Sequence, residues 1–448
     1  MGLIYIKFID LISNGMKEYI KNIIAWILTL EARLVIKKYN PKIIGVTGNV
    51  GKTSAKDAVA AVLSKKFVVG KSLKSFNSEL GVPLSILGLS SAMSSKWEKP
   101  FLWLKNIYLG LKLIITKSDF PEWLVLEIGA DKPGDISSVS KWLHPDIVVI
   151  TAIGEIPVHV EAFATPEDLA KEKGYLIEAL KPCGVLVLNA DDERVATMLG
   201  RLKCDAKIIT YGFSKGAILR ASGYKLFGSG ISFSVNYGGK VAPVKLSEIY
   251  GRPNVYSSIL AMAVGVSQGI GLDRAIDALN NYERPPGRFK KLEGMNGSTI
   301  FDDSYNASPL ATAMALETFS EIKTKGKGRK IVVLGDMREL GQYSDEAHRD
   351  IGRKIAGIAD IFVAVREKSR IAARAAEETG MKGDNIFCFD NSILAGNFMK
   401  TVVSPGDMIL VKGSESIRME RVVYRIIKDP KESTKLLVRQ NKEWLEKP

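Results

Sequence analysis

Apolar and polar positions follow two regimes along this chain. Short, nearly unbroken apolar runs at 42–48, 123–129, 147–153 and 184–189 are separated by stretches with helical spacing, such as 54–63 and 166–180. A strand buried on both faces reads as such a run, and the helices between runs supply the crossovers of a parallel sheet. From about 207 to 247 the pattern changes to short alternating segments split by Gly228-Ser229-Gly230 and Gly238-Gly239, which predicts antiparallel edge hairpins. Helical spacing returns at 255–265 and 272–279 and is stopped by Pro285-Pro286-Gly287. A second series of strands at 299–302, 330–334, 361–365, 385–389 and 407–411 follows, with helices starting near Pro309, Asp345, Lys368 and Ser392. The expectation is an α/β chain. It has a helical segment at 1–42, a central domain with a mainly parallel sheet at 43–288, and a smaller Rossmann-like α/β domain at 289–448.

Two stretches do not belong to that alternation. Ile20, Ile23, Ile24, Ile27, Leu28, Leu34 and Val35 form a wide apolar helix face beside a narrow polar stripe of Lys21, Thr29 and Arg33. The longest uncharged run there, 22–30, is less than half of the roughly 20 residues a membrane span requires. Residues 97–117 read as a basic amphipathic helix, with Phe101, Leu102, Leu104, Ile107, Tyr108, Leu111, Leu113 and Ile114 interrupted by lysines 96, 99, 105, 112 and 117. For 19–36 and 97–117 alike, packing on the body with snorkelling lysines stands beside contact with a membrane surface or a protein partner.

Composition narrows the class. Hydrophobic residues make up 46% and charged residues 25%, as in a globular enzyme. The net charge of +14 favours anionic ligands, but the basic residues are spread along the chain without a nucleic-acid motif, so a nucleotide explains the charge and nucleic acid is not expected. The three cysteines, 183, 204 and 388, lack zinc or disulfide spacing and suit a reducing cytoplasm; no secretory leader is evident.

The sharpest chemical signal is 45–54, Gly-Val-Thr-Gly-Asn-Val-Gly-Lys-Thr-Ser, between a strand and a helix. Gly48 and Gly51 allow backbone N–H groups to turn toward an anion, Lys52 can neutralise phosphate charge, and Thr53 can ligate Mg²⁺ where the helix starts. With Asn49 and Ser54 these residues form the predicted nucleotide loop. The usual spacing of the motif is not met, because Val46 stands where its first glycine would be.

That shortened loop resembles those of Mur ligases and folylpolyglutamate synthetases, and further motifs follow in the family's order. They are Asn77-x-Glu79-x-Gly81-x-Pro83, the acidic strand end 126–130, Tyr250-Gly251-Arg252-Pro253-Asn254, and Pro286-Gly287-Arg288-Phe289. Then come 302–309 (Asp-Asp-Ser-Tyr-Asn-Ala-Ser-Pro), 334–341 (Leu-Gly-Asp-Met-Arg-Glu-Leu-Gly) and Lys412-Gly413-Ser414. The stretches at 302–309 and 334–341 most resemble the branch that adds D-alanyl-D-alanine.

The resemblance implies an ATP- and Mg²⁺-dependent amide ligase. A peptidyl carboxylate attacks the ATP γ-phosphate, and an amine displaces phosphate from the acyl phosphate, so positioning and charge neutralisation carry the catalysis. It implies Glu127 and His159 as metal ligands alongside Thr53, and Lys173, with Lys171 as the neighbouring candidate, as a lysine that is carbamoylated into an anionic ligand. Lys52, Glu127, His159 and Lys173 form the catalytic set. The resemblance also implies Asn254 at adenine, Arg288 and Asp303 at phosphate and ribose, and Asn306, Lys412 and Ser414 at the substrate. His144 reads as a loop residue and His348 as a helix-face residue. The acceptor would be a UDP-linked muramoyl tripeptide, and the enzyme a cytoplasmic monomer. About 42 residues precede the first strand where the resemblance implies a whole UDP-sugar domain. This leaves open a ligase for another cell-envelope peptide or poly-amino acid, and a non-catalytic ATP-binding module at a membrane.

Overall fold

The computed structural model describes residues 2–72, 80–89, 100–280, 282, 284–324 and 326–446, with backbone alone at 2–18 and 100. Residues 76–79 of the Asn-x-Glu loop and 97–99 of the basic stretch lie outside the described residues.

A long helix, α1 (Gly2–Tyr39), leads into β1 (Lys42–Thr47), the nucleotide loop and α2 (Lys52–Leu63). Then come β2 (Val69–Lys71), α3 (Gly81–Ile86), α4 (Pro100–Ile115), β3 (Trp123–Glu127), α5 (Asp135–Ser140) and β4 (Ile147–Ile150). Helix α6 (Pro166–Glu178) starts at a capping box, in which the Thr165 hydroxyl accepts from the Asp168 N–H, the Asp168 carboxylate accepts from the Thr165 N–H, and Pro166 sets the first turn. Next are β5 (Gly184–Asn189), α7 (Glu193–Thr197), β6 (Ala206–Gly212), β7 (Leu219–Phe227), β8 (Gly230–Tyr237), β9 (Lys240–Ser247), α8 (Arg252–Ser267) and α9 (Leu272–Asn280).

These strands make a nine-stranded sheet in the order β2-β3-β1-β4-β5-β6-β7-β8-β9. The hairpin expectation for 207–247 holds for β7, β8 and β9, which pair antiparallel, with Gly238 and Gly239 both at positive φ in the turn. It fails for β6, which runs parallel to β5, because α7 and its loops carry the chain back across the sheet before β6 begins.

The second sheet is six-stranded, in the order β10-β11-β15-β12-β13-β14. Its strands are β10 (Lys290–Glu293), β11 (Thr299–Asp303), β12 (Lys330–Gly335), β13 (Ile361–Val365), β14 (Ile386–Phe389) and β15 (Met408–Lys412), and all pair parallel except β10 with β11. Between them lie α10 (Pro309–Glu321), α11 (Ser344–Ala356), α12 (Ser369–Glu378) and α13 (Ser392–Val402), with α14 (Glu420–Ile426) after β15. Each sheet has an apolar layer on both faces, so both are covered by helices as a parallel sheet requires.

Strand order reverses direction around β1, where the chain crosses to β3 on one side and β4 on the other, and the nucleotide loop sits at that switch point. α1 packs through Ile24, Leu28 and Val35 against the layer that includes α3 and α4. The same helix leaves Ile20, Ile23 and Leu34 exposed, so the apolar face expected for 19–36 is split between core and surface.

Candidate active site

The carboxyl ends of β1 and β3 in the first sheet, and of β11 and β15 in the second, face one cleft of about 870 Å³. Gly48 takes φ 138°, and a Cβ there would lie 2.0 Å from Thr151 Oγ1, so the loop can pass this point only as glycine. Asn49 anchors the loop, its backbone N–H donating to Ala152 O at 2.7 Å and its side-chain amide to Ile153 O at 2.7 Å. Gly51, at φ 86°, turns the chain into α2, whose first-turn N–H groups have no partner within the helix. Lys52 folds back to donate to Gly48 O at 2.9 Å. Burial pushes its ammonium pKa down, with Glu127 opposing. Ser54 and Glu127 line the same cleft.

Three elements meet at one oxygen. Thr53 Oγ1 donates to Glu127 Oε1 at 3.3 Å and accepts from Arg288 Nη2 at 3.0 Å. The Arg288 guanidinium lies 3.9 Å from the centre of the Tyr305 ring, which fixes its plane. Glu127 is buried, and its second oxygen accepts no hydrogen bond but lies 3.7 Å from the buried Lys56 ammonium. Among the described residues, no three His, Cys, Asp or Glu side chains stand close enough to hold a metal ion unaided. A hydroxyl and a buried carboxylate with an oxygen to spare, beside a phosphate loop, do fit Mg²⁺, which takes one or two protein oxygens and completes its shell with phosphate and water.

Lys173, on α6, lies behind this lining at 1% exposure, whereas Lys171 is exposed, so the structure separates the two candidates. Its pKa is lowered to about 7, first by burial and then by the Lys52 charge, against Asp131, Glu172 and Asp135. His159 adopts φ 70° after β4; its Nδ1 is 2.6 Å from Glu339 Oε2 and its Nε2 is 3.5 Å from Asp131 Oδ1. Both ring nitrogens therefore face carboxylates, one from each side of the cleft.

Toward the second sheet, Tyr250, with Pro253, Asn254 and Ser257 at the start of α8, lines the slot of the cleft between α8 and α10 together with Met314, Ala315 and Thr318 of α10. Gly251 permits that approach, since a Cβ there would lie 2.2 Å from Thr318 Oγ1. The Asn254 amide donates to Tyr250 O. At the end of β11, Asp303 Oδ1 accepts from Phe289 N at 3.1 Å, and Oδ2 lies 2.5 Å from Lys412 Nζ. Lys412 also donates to Asn306 O at 2.9 Å, which leaves one of its three N–H groups for a ligand. Asn306 accepts from Ala307 N through its side chain. Ser414 Oγ accepts from Arg338 N at 2.8 Å, tying β15 to the loop after β12. Asn306, Lys412 and Ser414 all line the cleft.

His348, expected on a helix face, is fully buried: Nε2 accepts from Met337 N at 3.0 Å and Nδ1 donates to Ser344 O at 2.6 Å. Sequence reasoning gave no role to Lys56, Asp131, Arg338 or Glu339. The last two stand inside the quoted 334–341 motif, so the signal was present without a partner to give it meaning.

Comparison with known proteins bears on this geometry. Residues 105–265 match the Mur ligase middle domain, and residues 287–415 match the Mur ligase, glutamate ligase domain. The UDP-N-acetylmuramoyl-tripeptide–D-alanyl-D-alanine ligase of Bacillus subtilis (strain 168) is 27% identical over 401 residues, 89% of this chain and 79% of that protein. Its counterpart from Escherichia coli (strain K12) is 26% identical over 85% of this chain and 76% of that one. The crystal structure of MurF ligase from Thermotoga maritima in complex with ADP superposes with a TM-score of 0.73 at 26% identity, covering 90% of this chain and 83% of that one.

Proposed function

The chain belongs to the Mur ligase family, and on that premise we infer that it is an ATP-dependent peptide ligase joining D-alanyl-D-alanine to UDP-N-acetylmuramoyl-tripeptide in peptidoglycan synthesis. The observation that carries this reading is the meeting of Thr53, Glu127 and Arg288 at a single oxygen, because it brings the phosphate loop, a strand-end acid and the segment joining the two sheets to one point.

The chemistry asks for two anions to be brought together. In the first step a carboxylate oxygen of the tripeptide attacks the γ-phosphorus and ADP leaves; in the second the dipeptide amine, having lost its proton, attacks the acyl carbon and phosphate leaves. Lys52 and the first-turn N–H groups of α2 would hold the transferring phosphoryl group, and Arg288 would reach it from across the cleft. Asn254 and the α8–α10 slot suit an adenine ring, and Asp303, held by Lys412 and the Phe289 N–H, suits a ribose hydroxyl. Thr53 and Glu127 would hold Mg²⁺, with His159 beside them. The ion, when bound, would screen the negative charge of the phosphate oxygens from the attacking carboxylate.

Lys173 would join that set as a carbamate, which its lowered pKa favours, since a neutral amine is the form that adds CO₂. The free N–H of Lys412, Ser414 and Asn306 would orient the dipeptide. A monomer is taken as the working unit. We place the reaction in the cytoplasm, where ATP and nucleotide-linked precursors are found.

Incubating the protein with ATP, Mg²⁺, UDP-muramoyl-tripeptide and D-alanyl-D-alanine should release phosphate and yield the pentapeptide product by mass spectrometry. Phosphate release only with other amines or acids would reassign the substrate, to another cell-envelope peptide for example. Nucleotide binding with no turnover on any such pair would leave a non-catalytic module.

A further inference from the structure

Two helices outside both sheets carry apolar surface that the fold does not use. α1 and α4 lie side by side: a Cβ on Gly110 would sit 2.2 Å from Glu31 Oε2, and Lys38 Nζ donates to the carbonyls of Leu113 and Ile114 at 3.0 Å each. Their inner stripes, including Leu28, Ala32 and Trp103, join the core. Outward, α1 exposes Tyr19, Ile23, Trp26, Leu30 and Leu34, with Trp26 at 67%. α4 exposes Phe101, Leu104, Tyr108, Leu111 and Ile115, a continuous stripe at alternating spacings of three and four, with Phe101 at 74%. A folded protein seldom leaves so many large apolar side chains contiguous and open without a use for them.

Among the described residues, the exposed charges on the same two helices have one sign. Lys21, Arg33, Lys37, Lys105 and Lys112 are all exposed. The one carboxylate among the described side chains of α1 and α4, Glu31, is buried between the helices. We propose that this two-helix face docks the enzyme on the surface of an anionic lipid bilayer, with both helices lying in the interface plane.

An apolar stripe rich in Trp, Tyr and Phe, with lysines flanking it, is what a helix in the headgroup region needs. Among the described residues, no helix is long and apolar enough to cross a membrane, so the face lies on the bilayer and does not span it. A second copy of the chain fits less well, because a twofold contact would set these cations against their own equivalents as the surface between them dried. Anionic headgroups match the cations one by one. The surface is separate from the cleft, and the proposal stands apart from any substrate assignment.

The test is sedimentation of the full chain with vesicles of phosphatidylglycerol and phosphatidylcholine, against pure phosphatidylcholine. Binding to the anionic vesicles is expected to exceed that to the neutral ones about tenfold or more, and to fall with added salt. Lys105→Glu with Lys112→Glu should weaken it about tenfold or more, and Trp26→Glu with Tyr108→Glu should abolish it. ATP turnover and thermal melting of these variants in vesicle-free buffer should match the parent, which shows that they fold. No sedimentation with anionic vesicles overturns the proposal, as does equal sedimentation of the parent and the Trp26→Glu/Tyr108→Glu variant. It is likewise overturned if the face turns out to bind a second copy or an acidic protein, seen as an assembly abolished by the same substitutions in a protein that ignores vesicles. Ligase activity without vesicle binding sinks this inference alone, and vesicle binding without ligase activity sinks only the enzymatic reading.

Discussion

Nδ1 of His159 lies 2.6 Å from Oε2 of Glu339, so a loop leaving the nine-stranded sheet is clasped by one leaving the six-stranded sheet. Both residues hold positive φ, at 70° and 66°, an uncommon conformation that costs free energy and persists here at the mouth of the cleft. The contact holds the Glu339 carboxyl below the usual carboxylate range. Glu339→Ala should therefore loosen the closed arrangement while leaving the stability of each half nearly unchanged. We expect kcat/KM for ATP to fall about tenfold, with a change in unfolding free energy within about 1 kcal/mol. Unaltered kinetics in the variant would show that the clasp has no part in closing the site.

Lys173 carries a cost in the fold that the proposed carbamate would explain. Its folded pKa of about 7 lies below the 10.5 of a free lysine. Between those values the unfolded chain binds more protons, so this group's contribution to stability rises with pH across that window and is least favourable below about pH 7. Lys173→Met should remove the penalty and raise stability at neutral pH by on the order of a few kcal/mol, while ligase activity is lost. In the parent protein, activity and a carbon-13 carbamate signal from labelled bicarbonate should grow together as pH rises through about 7. A variant that loses stability and keeps activity would contradict both halves of the argument.

Much of this was legible from residue order alone. The alternation of apolar runs and helices marks most of the parallel strands of both sheets, though not the short, half-exposed β2, because a strand buried on two faces admits little but apolar side chains, as β4 and β3 up to Leu126 illustrate. The direction of β6 was not legible, since its alternating pattern is the same whether its neighbour runs parallel or antiparallel. In the site, the 45–54 loop announces itself because glycines, a lysine and a threonine are all needed within a few residues. Asp131 and Glu339 do not, because their meaning depends on His159 coming between them from another part of the chain. His348 does sit on a helix, as expected, but helical spacing cannot say that a polar residue there faces a loop that needs an acceptor.

Gly48 offers a sharp test of the loop geometry. Any Cβ would collide with Thr151 Oγ1, and φ 138° is a conformation side chains rarely adopt. Gly48→Ala must displace either the loop or the segment 151–153 that anchors Asn49. Since the phosphates would be held by groups set by that loop, nucleotide affinity should fall by about a hundredfold or more, measured by calorimetry with ADP. Affinity within threefold of the parent would mean that the loop is not where the phosphates bind.

The loop carrying Glu339 is itself held by a titrating group. His348 Nε2 accepts the Met337 N–H from within the core, so a proton there would replace an acceptor with a donor pointing at a donor. Burial pushes the His348 pKa down, which means that the folded state prefers the neutral ring. The stabilisation from that preference is present above the unfolded value, near 6.5, and is lost as pH falls from there through the folded value. Acid should thus free Met337 and, with it, the neighbouring Glu339, whose own pairing with His159 also fails once its depressed carboxyl takes a proton. Urea unfolding should show stability greatest at and above neutral pH and declining as pH falls below about 6.5. His348→Leu should cost about 1–3 kcal/mol at the upper end, where it leaves the Met337 N–H unpaired, and should flatten the decline. If the variant keeps the parent's full acid dependence, the titrating group lies elsewhere and the loop is not governed by this histidine.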